Sequence, residues 1–280
     1  MAVNYLNRRV IDNLVFAYDC GNYKSFPYAV GPLTFTFPYS SSVPINMAGG
    51  VIKKGFYNGN TLTASLEQDS NGFKHLLITN PFAGTRMRLE DRASLSTYVI
   101  ADNGQSMPYF DAIYTGSNGF TVETFVSTSV KSQNSTFMFG NGTDTDGANL
   151  GFLFGVFDGG PAAYMSYSAS SGPNRILLRP GPLITGSWTQ ITYTWNGNWG
   201  GNGSASLYIN GKLQSQAFRS NPGYFVGGDT GSAFYRYTNT WGWRFTNFPG
   251  YQDSLFIYNR CLSANEVLQN FNSQRGRYNL

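Results

Sequence analysis

Charged residues are scarce in this sequence of 280 residues, at 12% against a usual share of roughly 25%. Histidine occurs once and cysteine twice, which is too few for a zinc site of ordinary composition. No apolar run approaches the length of a transmembrane helix. The net charge of +4 is spread along the chain without a dense block of Lys or Arg. We therefore expect no membrane span and no nucleic-acid-binding surface.

Glycine and aromatic residues are abundant instead, with 33 glycines and an aromatic share of 16%. The hydrophobic share of 41% is too high for a disordered chain. Beyond Gly119, short segments of alternating hydrophobicity recur about every ten residues, with turn residues between them. This pattern favours one large all-β domain, either a sandwich or a barrel.

Residues 186–216 predict three consecutive antiparallel strands in the middle of a sheet. Residues 191–195 alternate between apolar and polar, as in a half-buried strand. Asn210-Gly211 accepts positive φ at both positions, so it predicts a type I′ hairpin with Tyr208 opposite Leu213. The side chains expected in the core are those of Tyr193, Trp195, Leu207 and Ile209.

A short C-terminal helix is predicted over residues 264–271. Ser263 is its N-cap, and Glu266 at the third helical position completes a capping box. Leu262 and Val267 have the spacing of a hydrophobic staple.

The N-terminal residues 1–12 form a short polar arm that we expect to be ordered by contact with neighbouring chains. The first residues lack the apolar core of a signal peptide, so we expect synthesis in the cytoplasm and reduced cysteines. Cys20 and Cys261 would form a disulfide only if the first and last strands pair.

Three parts of the chain resemble one known superfamily. They are Gly186-Ser187-Trp188 with the strand ending in Asn210-Gly211, the closing segment 250–267, and the opening segment 13–25. These segments resemble the concanavalin A-like lectin/glucanase sandwich, also called laminin-G-like. The resemblance implies an all-β jelly roll of two antiparallel sheets with a short C-terminal helix. It further implies a single domain over residues 13–280, with an insertion-like region at about 31–118, where the match is poor.

The opening segment and the tail 269–278 resemble the versions of this domain in bacteriophage virion proteins. That likeness implies a non-enzymatic structural protein of the virion: a capsid decoration, head-fibre or tail-associated component. Its partners would be other virion proteins and further copies of itself. An adhesin that binds host surface glycans is the alternative, and a relative of the glycoside hydrolases is the third hypothesis.

Hydrolysis of a glycosidic bond needs two carboxyl groups that flank the bond. The glucanases of this superfamily carry Glu-x-Asp-x-x-Glu, and the nearest match, Glu67-Gln68-Asp69, lacks the third acid. Glu123 is the only acid of the best sandwich strand and has no partner at strand spacing. The single histidine, His75, has no nucleophile and acid placed beside it by sequence, so we expect a strand residue with a satisfied hydrogen bond. The chain is therefore not expected to be an enzyme.

An oxygen-rich loop at residues 141–147 contains Asp144 and Asp146. Its spacing does not match an EF-hand, so a polar hairpin loop is the first expectation. A structural Ca²⁺ held by Asp144 and Asp146 is the alternative, because many lectin-like sandwiches carry one. No other cofactor is expected.

Aromatic residues concentrate in Gly- and Asn-rich segments late in the chain. Exposed Trp and Tyr stack on sugar rings and also dominate protein interfaces, while others belong to the core. We expect the irregular region 220–250 to be ordered by partner contacts. The candidate residues for contact with a partner or a glycan are Trp199, Tyr224, Tyr235, Tyr237, Trp241 and Trp243.

Overall fold

The computed structural model describes the following parts of the chain: residues 8–20, 31–35, 53–57, 62–78, 85–90, 119–128, 136–140, 151–157, 160–166, 175–181, 186–197, 203–219, 241–246 and 250–280. These residues form sixteen strands and one α-helix followed by a turn of 3₁₀ helix. The strands are β1 (Leu14–Asp19), β2 (Gly31–Phe35), β3 (Lys53–Tyr57), β4 (Leu62–Gln68), β5 (Lys74–Ile78), β6 (Thr85–Glu90), β7 (Phe120–Thr128), β8 (Thr136–Gly140), β9 (Gly151–Phe157), β10 (Gly160–Ser166), β11 (Arg175–Leu178), β12 (Thr189–Trp195), β13 (Gly203–Ile209), β14 (Lys212–Arg219), β15 (Trp241–Thr246) and β16 (Gly250–Tyr258).

Two antiparallel sheets account for all of these strands. The nine-stranded sheet runs β14-β13-β12-β7-β16-β5-β4-β2, and β1 also pairs with β16. The seven-stranded sheet runs β11-β10-β9-β8-β15-β6-β3. The strand β11 lies against β13 and β14 of the other sheet. The predicted fold, a sandwich of antiparallel sheets with a short C-terminal helix, is confirmed.

The centre of the nine-stranded sheet is buried on both faces. Because paired residues share a face, one face is defined by the apolar side chains of β7, β12, β13 and β16. Those side chains are almost completely buried: Phe120, Val122, Ile191, Tyr193, Trp195, Leu207, Leu255 and Ile257. Full burial of a large apolar side chain contributes about 1.5–3 kcal/mol, so this face is the principal core of the described chain.

The predicted hairpin at Asn210-Gly211 is confirmed, with φ of 51° and 74° at the two residues and Tyr208 paired with Leu213. Two details differ from the prediction. The three strands lie at one end of the sheet, because β14 is its last strand. The strand β12 is buried along its whole length, while Ile209 is only half-buried.

The polar face of β12 is buried because the C-terminal helix, α1 (Ala264–Gln274), packs on that side of the sheet. Ser263 caps α1 in a complete capping box with Glu266, as predicted, and the helix runs three residues further than expected. Leu262 and Val267 join a buried cluster with the strand residues Phe256 and Tyr258. The alternation of polar and apolar residues in β12 predicts one exposed face. It does not reveal that α1 covers that face.

The N-terminal arm, residues 8–12 of which are described, docks on its own chain. Arg9 donates to Glu123 at 2.6 Å and to the hydroxyl of Tyr258 at 3.2 Å. The amide of Val10 donates to the Asn270 side chain of α1 at 2.8 Å. The expectation that the whole arm depends on neighbouring chains is therefore wrong for these residues, because Arg9 and the backbone of Val10 anchor them to their own chain.

Two regions that the sequence predicted to be insertion-like or irregular contribute strands to the sheets. In the region 31–118, the described strands β2, β4 and β5 join the nine-stranded sheet, and β3 and β6 join the other. Within 220–250, which was expected to be irregular, β15 lies between β6 and β8.

The first and last strands do pair, yet Cys20 and Cys261 are both free thiols. No helix in the described part of the chain is long and apolar enough to cross a membrane.

We expect Gly119→Ala to lower the free energy of unfolding strongly, because Gly119 precedes β7 at a φ of 73° and its added Cβ would collide with the backbone oxygen of Trp195. The expected loss is about 1–3 kcal/mol or more, from the strained φ and the displaced strand end. Gly276→Ala is the matched control, because an added Cβ there meets nothing within 4 Å. Urea denaturation measures both variants, and equal midpoints would contradict the assignment.

We expect Arg9→Met to lower the free energy of unfolding by about 3–5 kcal/mol, because it leaves the fully buried carboxylate of Glu123 without its ion-pair partner. The control is Arg8→Met at the exposed neighbouring position. The double variant Arg9→Met with Glu123→Gln should recover part of the loss, since it removes the buried charge as well. Denaturation midpoints that are the same for Arg9→Met and Arg8→Met would show that the arm is not anchored by this pair.

Candidate functional site

A β-bulge in β16 places one acidic side chain in the interior. Gln252 pairs with Val126 and Ser254 pairs with Phe125, so Asp253 is an extra residue between two ladder positions. Its carboxylate is fully buried and accepts hydrogen bonds from the Leu76 amide at 2.9 Å and from the ring of His75. The bulge therefore ties β16 to β5 through a side chain.

His75 lies between two carboxylates. Its Nδ1 atom contacts Asp253, and its Nε2 atom lies 3.2 Å from the Asp69 carboxylate. Asp69 sits in the tight turn between β4 and β5, where its other oxygen accepts the amides of Asn71 and Phe73 at 2.9 Å each. The expectation that His75 is a strand residue with satisfied hydrogen bonds is confirmed, and its position links the buried Asp253 to the partly exposed Asp69.

The C-terminal 3₁₀ turn, Arg275–Tyr278, fastens onto the same cluster. The guanidinium of Arg277 donates to Asp253 at 2.9 Å, to the Lys74 carbonyl at 2.7 Å, and to Asp19. Next to it, the ring of Tyr278 stacks on Phe125 at a centroid distance of 4.2 Å. The tail thus covers one side of His75, whose side chain is almost completely buried.

On the other side of His75, two aromatic rings cover it and lie at the surface of the sheet. Trp188, just before β12, and Tyr251, in β16, are half-buried and have centroids 5.6 Å apart at 44°. Trp188 packs on His75 at 5.0 Å and on Tyr278 at 4.7 Å. Both rings therefore pack on His75, while part of each side chain remains exposed to solvent.

Carboxylates form the rim beside these rings. Glu67 pairs with His75 across β4 and β5, so the two side chains share a face. The Tyr251 hydroxyl donates to Glu67 at 2.8 Å. We call the partly exposed group of Glu67, Asp69, Trp188 and Tyr251, with His75 beneath it, the aromatic shelf. It combines a flat apolar surface with oxygen acceptors at its edge, a composition suited to a polyhydroxylated ligand.

The charges around His75 shift several pKa values. Burial lowers the pKa of His75, but hydrogen bonds and charge from Asp253 and Asp69 outweigh it and raise the pKa above its ordinary value. Full burial raises the pKa of Asp253, opposed by His75 and Arg277. For Asp69, the donors Phe73, His75 and Asn71 outweigh partial burial and lower the pKa. Burial, with hydrogen bonding and charge from Glu67, raises the pKa of Tyr251 to about 12, so Tyr251 remains a phenol.

Two of the residues predicted from sequence for ligand contact fall in a described strand. Trp241 and Trp243 belong to β15, a central strand of the seven-stranded sheet, and only their backbone is described. The remaining candidates, both for aromatic contact and for Ca²⁺, lie outside the described residues: Trp199, Tyr224, Tyr235, Tyr237, Asp144 and Asp146. Among the described residues, no group of three or more His, Cys, Asp or Glu side chains could hold a metal ion.

Sequence reasoning considered Glu67 and Asp69 as an incomplete glucanase motif and His75 apart from them. It interpreted Trp188 only as part of the segment that leads into a strand and resembles the superfamily. The signal available was the Glu67-x-Asp69 spacing six residues before the single histidine. Nothing local connects these residues to Trp188 or Tyr251, which lie more than a hundred positions away and arrive through the strand order of the sheet.

Comparison with known proteins agrees with the fold. Residues 96–268, more than half of the chain, match the family model of the concanavalin A-like lectin/glucanases superfamily. The chain belongs to this superfamily, as the resemblance implied. No curated protein sequence matches the chain significantly. The matched family model and the solved structures described below do not support the bacteriophage virion context.

Solved structures with a similar fold include botulinum neurotoxin binding domains. The binding domain of botulinum neurotoxin DC in complex with rat synaptotagmin II matches with a TM-score of 0.54 at 12% identity, over 94% of this chain and 52% of that one. The same domain with SialylT gives the same values. The serotype D binding domain matches with a TM-score of 0.55 at 11% identity, over 95% and 52%. The chain thus spans about half the length of these structures, and the likeness concerns the fold alone.

We expect the free energy of unfolding to fall as the pH rises above about 6.5, because of His75. A raised folded-state pKa gives full stabilisation below the unfolded value of about 6.5, and this stabilisation is lost as the pH rises through the folded value. Urea denaturation at several pH values measures the trend. In His75→Gln, which retains hydrogen bonding without the charge, that part of the fall should disappear. The same pH dependence in both proteins would contradict the ion-paired role of His75.

Proposed function

We propose that this chain is a glycan-binding domain and that saccharides bind on the aromatic shelf. The observation that carries the proposal is the pair of half-exposed rings, Trp188 and Tyr251, with carboxylates beside them. The apolar face of a pyranose ring packs on an aromatic surface, while its hydroxyl groups need hydrogen-bond acceptors at the edge. The shelf supplies both within one patch.

The rigidity of the shelf supports binding. His75 and Tyr278 support Trp188 from below, and the hydroxyl of Tyr251 is held by Glu67. A ligand would therefore immobilise few additional side-chain rotors, each of which would cost about 0.5–1.5 kcal/mol. A shallow surface of this kind suits weak binding, with a Kd on the order of 0.1–1 mM for a single site.

The shelf is proposed to bind without cleaving. A glycosidase needs one carboxyl group that holds a proton and one that is ionised. Glu67 accepts a hydrogen bond from the Tyr251 hydroxyl, and Asp69 accepts two backbone amides, so both are arranged as acceptors. Glu123 is fully buried beneath α1 and the N-terminal arm, where it pairs with Arg9.

The solved structures give limited support to the proposal. A further similar structure comes from botulinum neurotoxin type C, whose cell entry is dependent upon interaction with two ganglioside molecules, which are glycolipids. A sandwich of this shape is thus compatible with glycan recognition. The position of any site in those proteins is not transferred to this chain.

A structural role in a virion is the other proposal, and it rests on the likeness of residues 13–25 and 269–278 to phage chains. It differs from glycan binding in its requirement for partners. In that case the intact particle would contain the protein at fixed positions, and a purified chain would show no affinity for saccharides.

We expect Trp188→Ala to weaken saccharide binding by about tenfold or more, since an aromatic contact contributes about 0.5–1.5 kcal/mol beyond its buried area. A glycan array followed by calorimetry on the best ligand measures the effect. Leu213→Ala, at an exposed position of β14, is the control and should bind like the unmodified protein.

Because Trp188 also packs on Tyr278, Trp188→Phe provides a second variant that keeps part of the ring surface. It should fold normally and show an intermediate loss of affinity. Binding that is unaffected in both Trp188 variants would place the glycan site elsewhere, and a blank array with folded protein would refute the proposed function.

A further inference from the structure

The rim of the aromatic shelf offers hydrogen-bond acceptors. The hydroxyl of Tyr251 uses its proton on Glu67, which leaves only lone pairs of that oxygen for a ligand. Glu67 and Asp69 are carboxylates, and ionised carboxylates only accept. Hydrogen bonds and charge keep the pKa of Asp69 low, so it stays ionised at neutral pH. The polar edge of the shelf is thus both negative and poor in donors.

The cations nearest to the shelf in the described chain are engaged or turned away. Arg277 makes ion pairs with Asp19 and Asp253 and donates to the Lys74 carbonyl, behind His75. The His75 ring contacts a carboxylate through each nitrogen. Lys74 alternates with His75 along β5, so its side chain leaves from the opposite face of the sheet. Among the described residues, an anionic ligand on the shelf would therefore meet Glu67 and Asp69 without a cation that faces it.

We infer that the aromatic shelf selects saccharides that carry no negative charge, either neutral or amine-bearing, and discriminates against sialylated, uronic and sulfated ones. This inference rests on the proposed glycan-binding function and names its ligand class. Neutral sugars give hydroxyl protons to the acceptor rim, and an amino sugar adds an ammonium group that faces the carboxylates. A sugar carboxylate or sulfate brings a like charge to the same edge, which costs affinity.

The test is a set of immobilised glycans in which each neutral oligosaccharide is paired with its sialylated and its sulfated derivative. The unmodified protein should prefer the neutral member by about tenfold or more, because like charges at an interface are strongly unfavourable. The preference should shrink as the salt concentration rises, since exposed charges are screened beyond about 8–10 Å at physiological ionic strength. Binding to the neutral members should depend little on salt.

Two variants assign the discrimination to the rim. Glu67→Gln and Asp69→Asn each remove one charge at nearly constant size, so the ratio of neutral to anionic binding should fall toward one. Asp12→Asn is the matched control: Asp12 is an exposed acid that lies beside Arg260, away from the shelf, and the ratio should not change. Circular dichroism and urea denaturation of each variant confirm that it is folded before binding is compared.

The outcomes separate this inference from the proposed function. Equal or tighter binding of the sialylated or sulfated members, with Trp188→Ala abolishing it, would overturn the charge selection and leave the glycan site in place. A ratio that is unchanged in both acidic variants would likewise overturn the role given to Glu67 and Asp69. No binding to any glycan by the folded protein would overturn the proposed function and this inference together.

Discussion

The carboxylate of Asp253 has no access to water, and three donors from two other segments converge on it. A buried charge is tolerated only when it is paired and hydrogen-bonded, because desolvation costs several kcal/mol. The Leu76 amide, His75 and Arg277 meet that requirement. Hydrogen bonds to charged groups contribute about 1.5–3 kcal/mol each, so the positions of β5 and the C-terminal tail are both tied to this one side chain.

The aromatic shelf depends on that constraint. Arg277 brings Tyr278 over Phe125, and Tyr278 in turn supports Trp188. His75, fixed by Asp253, supports the same ring from the other side. Without the bulge that turns Asp253 inward, the tail would lose one of its anchors, and both neighbours of Trp188 would lose a partner that fixes their position. The exposed surface is therefore a consequence of buried charge pairing, and not of a loop that happens to carry aromatic residues.

The features that could be predicted from the sequence were those formed by residues close together along the chain. The Asn210-Gly211 turn, the capping box of Ser263 and Glu266, and the alternation of residues 191–195 each involve neighbours along the chain. The shelf could not be predicted, because Glu67, Trp188 and Tyr251 come together only through the order β12-β7-β16-β5-β4. A bulge changes the register by one residue and leaves no clear mark in composition. Sequence reasoning therefore favoured aromatic-rich segments, where a single stretch supplies many candidates.

The burial of both faces of β12 shows how the superfamily fold is adapted in this chain. A sandwich strand needs only one covered face, and here α1 and the N-terminal arm cover the other. Glu123, the acid on the best sandwich strand, is consequently committed to Arg9 and Asn270 and has no exposed surface. Where that cover ends, at Tyr278, the same face of the sheet becomes accessible and presents Trp188 and Tyr251. The proposed ligand binding at this boundary would need no separate loop, because the edge of the tail and the open strands lie on either side of the aromatic shelf.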